Sequence, residues 1–167
     1  MKTSTPTQPP ERRDRLLREQ VHDTYKQRGQ LKEPTQCPGC GAVYHKGRWS
    51  WTAEVDDNAH ETLCSACHRI ADKYPAGEVV LEGVFAMQHK DEILNLVRKT
   101  EATENKEHPM NRIIEIRELG EQLLLTTTDT HLPRRIGKAV QAAWKGSLDI
   151  HFDEGGHFTR IGWRRDE

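Results

Sequence analysis

Apolar residues are scarce in this sequence of 167 residues. They make up 34% of the chain, against about 45 to 50% in an average globular domain, and charged residues reach 31%. A chain of this length and composition can form one domain of ordinary size or two very small ones, each with a thin core. This excludes a large enzyme with a deep enclosed pocket, and it predicts that a small unit of the chain needs a disulfide or metal staple.

Long apolar runs and enzyme motifs are also missing. No 18 consecutive residues are apolar, and the first 15 residues lack the apolar segment of a signal peptide. We therefore expect neither membrane insertion nor secretion, and a cytoplasmic location. No GxSxG, P-loop, GxGxxG or HExxH string occurs, so we expect a protein that is not an enzyme. The polar cluster at residues 126–131 is better explained as a helix cap than as a catalytic group.

The four cysteines form two Cys-x-x-Cys pairs, Cys37 with Cys40 and Cys64 with Cys67. In a reducing compartment such pairs hold a metal more often than they form disulfides. Two residues between cysteines let a tight turn aim both thiolates at one ion, and Zn²⁺ prefers four such ligands in a tetrahedron. The pattern predicts one structural Zn²⁺ held by all four cysteines, in a closed site that does no chemistry. A redox dithiol is the alternative, but it needs only one pair.

Such a centre would carry two net negative charges, because four thiolates bind one dication. Lys46, Arg48 and Arg69 are close enough in sequence to offset this charge. Three histidines also lie near the cysteines, at positions 45, 60 and 68. We do not expect them to bind the metal, since four thiolates already fill its coordination sphere.

Apolar periodicity and turn residues predict an α+β fold in four segments. Residues 1–32 form a disordered tail and a basic helix, and residues 33–88 form a zinc-ribbon-like module with a β-hairpin that turns at Lys46–Gly47. Residues 89–107 form a connecting helix. Residues 108–167 form a small β-β-α-β-β domain, in which we expect a four-stranded sheet covered on one face by the helix.

The helix of the last segment, at residues 132–145, has two distinct faces. One is apolar and should pack on the sheet, whereas the other is basic and should face solvent. The apolar face comprises Leu132, Ile136, Ala139, Val140 and Ala143, and the opposite face comprises Arg134, Lys138, Gln141 and Lys145. The helix N-terminus, with Arg134 and Arg135 in its first turns, also predicts a phosphate-binding position.

Positive charge is concentrated at the start of the chain. Residues 1–50 carry a net charge of +5 and residues 51–110 of −6, whereas the remainder is neutral. Basic side chains and a Trp on the predicted helices and hairpin indicate binding to the phosphates and unpaired bases of RNA. The candidate nucleic-acid-binding residues are Arg12, Arg13, Arg15, Arg18, Lys46, Arg48, Trp49, Arg134, Arg135 and Lys138. For Trp49 and Trp51, packing in the core of the small module is the alternative.

Several segments of the chain resemble one family of proteins. They are CPGCGAVYHKGRWSW, LCSACHRIADKYPAGEVVLEG, HKDEILNLVRKTE, EHPMNRI and TTTDTHLPRRIGKAVQAAWKGSLDIHF. Over about residues 25–163 the sequence is similar to a set of short bacterial zinc-binding proteins. In their Cys-x-x-Cys region these resemble the nonsense-mediated-decay-three export adaptor of the large ribosomal subunit. The four cysteines match the pattern, whereas Ser65, His68 and Pro133 depart from it.

The resemblance implies a zinc-binding protein with a connection to the ribosome or its RNA. We therefore expect a protein that associates with RNA or the ribosome, with a role in stress or hibernation as one form of this function. A zinc-containing transcription regulator or a protein-protein adaptor is the alternative, although no helix-turn-helix pattern is legible. We expect no membrane partner and no small-molecule substrate.

Overall fold

The computed structural model describes residue 25 and residues 31–51, 54–55 and 57–167. These residues form two β-sheets and four helices, so the predicted α+β class is confirmed. Most of the predicted tail and basic helix lies outside the described residues. The same holds for four of the candidate RNA-binding residues, Arg12, Arg13, Arg15 and Arg18.

The first sheet contains four short strands in the described part of the chain. They are β1 (Thr35–Gln36), β2 (Val43–His45), β3 (Arg48–Ser50) and β4 (His60–Glu61). Their spatial order is β3-β2-β1-β4, with β4 parallel to β1 and the other neighbours antiparallel. The hairpin between β2 and β3 turns at Lys46 and Gly47, whose φ angles of 52° and 77° are typical of a two-residue hairpin turn. The predicted hairpin is confirmed, and helix α1 (Ser65–Asp72) follows β4.

The second sheet has five strands rather than the predicted four. They are β5 (Gly77–Glu82), β6 (Ile113–Leu119), β7 (Gln122–Thr127), β8 (Ser147–Phe152) and β9 (Thr159–Arg164). The order is β6-β7-β5-β9-β8, with β5 parallel to β9 and the other neighbours antiparallel. The sequence pattern assigns β5 to the cysteine module, but its Val79 and Leu81 are fully buried in the centre of this sheet. Their burial explains why the C-terminal β-β-α-β-β unit takes in a strand from earlier in the chain.

Three helices accompany the second sheet: α2 (Val84–Gln88), α3 (Lys90–Glu107) and α4 (Leu132–Trp144). The core lies on one sheet face, where alternate residues of β5, β7 and β9 are buried together with residues of α3 and α4. The opposite face carries ion pairs between β5 and β9, among them Arg160 with Glu78 at 2.6 Å. Among the described residues, none of the helices has the length and the apolar content needed to cross a membrane.

Helix α4 presents its predicted apolar face to the sheet, with one correction. Leu132, Ile136 and Val140 are fully buried. Ala143, which the pattern places on the same face, is exposed, and Trp144 packs against the core instead. The buried positions of α4 also include Pro133 and Gly137, so the face that meets the sheet is turned toward the side on which Trp144 lies and away from Ala143.

Each of the two sheets has its own apolar core, and the two units are in contact at a small junction. The core of the first unit consists of Cys37, Cys64 and Ala66, and Met110 from the loop after α3 packs against it. Trp51, directly after β3, donates from Nε1 to the backbone oxygen of Asn105 in α3 at 2.6 Å. The cysteine unit therefore contacts the second unit through the end of α3 and the loop that follows it.

Candidate metal centre

The first cysteine pair lies in a tight turn between β1 and β2. The N–H of Gly41 donates to the backbone oxygen of Cys37 at 2.9 Å, and the N–H of Cys37 donates to that of Ala42 at 2.8 Å. Gly41 has a φ of +82°, a conformation that favours glycine. A Cβ on Gly39 would lie only 3.0 Å from Sγ of Cys67. The backbone conformation therefore favours glycine at position 41, and the small space beside Cys67 favours glycine at position 39.

The second cysteine pair lies at the start of α1. Cys64 precedes the helix, and its sulfur accepts a hydrogen bond from the N–H of Cys67 at 3.4 Å. Because β1 and β4 are parallel, both strands lead into their cysteines in the same direction and bring the two pairs together. The N–H of Cys64 also donates to Sγ of Cys37 at 3.3 Å. The pairs thus form one cluster.

The geometry of this cluster fits a tetrahedral metal centre. All four sulfur atoms lie within 4.8 Å of one another, and those of Cys40 and Cys64 are 3.8 Å apart. A disulfide needs about 2.05 Å, whereas Zn–S distances of about 2.3 Å give a tetrahedron with edges of about 3.8 Å. Within the described residues, no other group of three or more potential ligand side chains comes together in this way. The four cysteines could therefore hold a metal ion.

The sulfur atoms have contrasting electrostatic surroundings. Burial raises the pKa of Cys37, but backbone N–H donors, first that of Cys64, outweigh it and lower this pKa to about 7. Burial raises the pKa of the Cys40 and Cys64 thiols. A metal ion binds thiolates, so its binding must release protons from these groups. Metal affinity is therefore expected to fall as the pH falls.

Arg112 places a cation directly against the cysteine cluster. Its Nη2 donates to Sγ of Cys64 at 3.2 Å and to Sγ of Cys40 at 3.6 Å. Its Nη1 donates to Sγ of Cys67 at 3.5 Å. The guanidinium group thus contacts three of the four sulfur atoms and would offset the negative charge of a metal-thiolate centre.

In the structure this charge is offset by Arg112, a residue that the sequence analysis did not identify. Lys46 and Arg48, which we expected to supply it, are exposed on the β2–β3 hairpin. Arg69 is buried, donates from Nη1 to the backbone oxygen of Tyr74 at 3.0 Å and lies 4.6 Å from the ring centroid of Tyr25. Arg112 is 45 residues away from Cys67. No spacing rule in the sequence marks it as a neighbour of the cysteines.

A groove of about 650 Å³ lies beside the cysteine cluster, between the β2–β3 hairpin and residues 107–111. Tyr44, Arg48 and Trp49 form its hairpin side, and we term it the aromatic groove. The rings of Tyr44 and Trp49 meet edge to face with centroids 5.5 Å apart. Trp49 is half-buried and also packs against the cysteine cluster. It therefore contributes both to the core and to the groove wall.

A cleft of about 640 Å³ runs along the basic face of α4, and we term it the cationic cleft. It is lined by Glu104, His108, Asn111, His131, Arg134, Arg135 and Lys138. The three basic residues of α4 in this cleft are exposed, and for Arg134 and Lys138 the helix pattern predicts this. Arg135 pairs with Glu104 at 3.3 Å. Arg134 and Lys138 have no ion-pair partner within the described residues, so their charges are available to an anion.

Asp129 caps the N-terminus of α4. Its Oδ2 accepts hydrogen bonds from the N–H groups of His131 and Leu132 at 2.8 and 3.0 Å. This confirms the capping interpretation of residues 126–131. It also corrects the phosphate-binding position that we expected at this helix end, because a carboxylate already occupies these donors. An anion at α4 would therefore have to be bound by side chains.

The aromatic groove and the cationic cleft adjoin, since His108 and Asn111 line both. They form one surface that runs from the hairpin to α4. This surface brings together five of the predicted residues, Arg48, Trp49, Arg134, Arg135 and Lys138. The sixth predicted residue in the described part of the chain, Lys46, lies in the adjacent hairpin turn, where its N–H donates to Glu33 at 3.1 Å.

No family model, no curated protein and no solved structure matches the chain. The resemblance to short bacterial zinc-binding proteins therefore stays a prediction. The cysteine cluster and the surface beside it are the features of the described residues that bear on function.

Proposed function

We propose that this protein is a non-enzymatic zinc-binding protein that binds single-stranded RNA, with the ribosome as its target in the cell. The observation that carries the proposal is the continuous surface formed by the aromatic groove and the cationic cleft. The cysteine cluster supports this surface, because Trp49 of the groove packs against it.

Zinc is the metal that best suits the centre. Four thiolates at tetrahedral spacing are typical of structural Zn²⁺ sites. The ligands would be Cys37, Cys40, Cys64 and Cys67. Four protein ligands leave no open position for water or substrate, so the metal would stabilise the fold without taking part in a reaction. The small apolar core of this unit supports a fold that depends on the metal.

The aromatic groove suits an unpaired base. Stacking of a base on an aromatic side chain contributes about 1 to 3 kcal/mol and tolerates any base, because every base has a π-face. Trp49 supplies the largest ring of the groove, and Arg48 adds a cation beside it. In a duplex the bases remain stacked on each other, so this groove would select single strands.

The cationic cleft suits the phosphates next to that base. Arg134 and Lys138 can each neutralise a phosphate, because they are exposed and have no ion-pair partner among the described residues. Glu104 lies in the same cleft and pairs with Arg135, so Arg135 is not counted among the cations that can neutralise a phosphate. One strand could contact both parts of the surface through His108 and Asn111. Ribosomal RNA as the target rests on the resemblance of the sequence.

Substitution of Trp49 tests the base-binding part of this proposal. With a labelled single-stranded RNA, Trp49→Ala should weaken binding about 5- to 150-fold, as the loss of about 1 to 3 kcal/mol of stacking implies. Trp49→Phe should retain most of the affinity. Phe152→Ala, which removes an exposed aromatic side chain of β8 outside the groove, is the matched control and should bind as the wild type does.

Zinc content and thermal unfolding of each variant show whether the fold is intact. Normal affinity of a folded Trp49→Ala protein, or equal affinity for single-stranded and duplex RNA, would contradict the proposal. If Trp49→Ala loses its zinc, Trp49 is a core residue, and the affinities of the wild-type chain for single-stranded and duplex RNA decide whether it selects unpaired bases.

Sedimentation tests the cellular target. The tagged full chain should migrate with ribosomal particles through a sucrose gradient, and ribosomal RNA should dominate the RNA that accompanies it. Migration with DNA or with a protein partner, away from ribosomes, would favour the transcription regulator or the adaptor instead.

A further inference from the structure

We infer that Arg112 is a positioning residue that joins the metal centre to the five-stranded sheet, so that the bound metal holds the two units of the protein together. This inference does not depend on RNA binding. It requires only that the four cysteines hold a divalent metal ion.

The side chain of Arg112 has acceptors on both units. From the first unit it contacts Sγ of Cys64, Cys40 and Cys67 at 3.2, 3.6 and 3.5 Å. From the loop after α3 it contacts the backbone oxygen of Pro109, to which Nε donates at 2.9 Å. All three nitrogen atoms of the half-buried guanidinium group therefore donate hydrogen bonds.

The backbone of Arg112 is fixed to the second sheet. Its N–H donates to Oγ1 of Thr128 at 2.9 Å, and its backbone oxygen accepts from the N–H of Thr128 at 2.8 Å. Thr128 is buried directly after β7 and also donates from Oγ1 to the backbone oxygen of Met110. Hydrogen bonds to the second sheet thus fix the backbone of Arg112, and its guanidinium group donates to the sulfur atoms of the cysteine cluster.

Charge explains why this contact depends on the metal. Four thiolates and a divalent ion carry two net negative charges, and one guanidinium group halves this excess. Charge-assisted hydrogen bonds are about twice as strong as neutral ones. Removal of the ion removes a fixed dianionic acceptor and leaves a half-buried cation with weaker partners.

Among the described residues, two hydrogen bonds also cross the junction, and Met110 packs against the cysteine unit. The indole of Trp51 donates to Asn105, and Oγ of Ser65 donates to the sulfur of Met110 at 3.4 Å. The two apolar cores are separate, so burial of apolar surface does not fuse the units. Arg112 is therefore the charged contact on which their docking depends.

The experiment compares the full chain with Arg112→Gln, Arg112→Lys and the control Arg117→Gln, which removes an exposed cation of β6. Zinc affinity is measured by competition with a chromogenic chelator. Loss of a group that orients metal ligands typically lowers metal affinity about 10- to 100-fold. We expect a loss in this range for Arg112→Gln, a smaller loss for Arg112→Lys and no change for Arg117→Gln.

Spectroscopy of the Co²⁺-substituted proteins separates this role from a purely structural one. Without the N–H···S hydrogen bonds the thiolates are stronger electron donors, so the sulfur-to-cobalt charge-transfer band of Arg112→Gln should move to longer wavelength. If this variant does not fold, Arg112→Lys should show a smaller shift in the same direction. Wild-type affinity together with an unshifted band in the folded variants would overturn the inference.

Hydrogen exchange tests the docking itself. Chelation of the metal from the wild-type chain should speed amide exchange at residues 108–112 and in α1, while β5 and β9 keep their protection. Arg112→Gln should show the faster exchange even with metal bound. Unchanged exchange at residues 108–112 after chelation would contradict the proposed coupling.

Discussion

Removal of two cations from the cationic cleft should change the salt dependence of RNA binding by a calculable amount. Arg134 and Lys138 are the exposed basic residues of α4 that have no ion-pair partner in the described residues. For single strands, the logarithm of the association constant falls with the logarithm of the salt concentration, with a slope of about −0.7 per neutralised phosphate. The double variant Arg134→Gln/Lys138→Gln should therefore flatten the slope by about 1.4 units.

The same relation gives the loss of affinity. Each phosphate contact strengthens binding about fivefold when salt decreases from about 1 M to 0.1 M. Loss of two contacts should weaken binding about 25-fold at 0.1 M salt. Fluorescence anisotropy of a labelled single-stranded RNA, measured across a salt series, yields both the slope and the affinity.

A control with the same change in net charge isolates the cleft. Arg98→Gln/Arg117→Gln also removes two exposed cations, but neither residue lines the aromatic groove or the cationic cleft. Its slope should stay close to that of the wild type. Equal flattening in both double variants would mean that only the net charge matters, and it would refute a defined phosphate-binding surface.

The remaining predictions concern metal binding and stability. Cys64→Ser should bind well below one zinc per chain by elemental analysis and should unfold at a lower temperature, because metal binding and folding are coupled; retention of both would contradict the four-cysteine ligand set. Ile136→Asp should unfold the second unit, since the position is fully buried and the change costs about 5 kcal/mol or more, whereas Ile136→Val should cost about 0.5 to 1.5 kcal/mol. Similar melting temperatures for the two Ile136 variants would mean that Ile136 does not face the core and that the orientation described for α4 is wrong.

Features that depend on a few consecutive residues could be predicted from the sequence. Lys46–Gly47 forms the expected hairpin turn, because only a few residue types accept positive φ there. The turn around Gly39 and Gly41 likewise follows from local backbone requirements. The apolar line through Ile136 is readable since helical periodicity is local as well.

The place of β5 in the second sheet could not be predicted in the same way. Its alternating residues indicate a strand, but its partner β9 begins at Thr159, far along the chain. A parallel pairing of this kind has no turn that fixes its register. Burial of alternate residues, Val79 and Leu81, on the core face of the sheet selects β5 for this position.

The shared surface of the hairpin and α4 is also a product of the fold. The sequence identifies Arg48, Trp49 and Arg134 as candidates, but it contains no signal that they lie together. The loop after α3 connects them, because His108 and Asn111 contribute to both the groove and the cleft. The predicted residues thus come to lie on one surface only through a segment to which the sequence assigns no role.

The position of Arg112 beside the cysteines could not be predicted from the spacing of residues in the sequence. The cysteines are recognisable because rigid turns must aim their thiolates at one ion, which fixes the residues between them. The cation that offsets their charge has no such constraint, since electrostatic attraction requires only proximity in space. Electrostatics predicts that some cation lies against a buried dianionic centre, but the fold decides which one. Here the fold places Arg112, directly before β6, against the cysteine cluster, so this cation reaches the sulfur atoms where the two units meet.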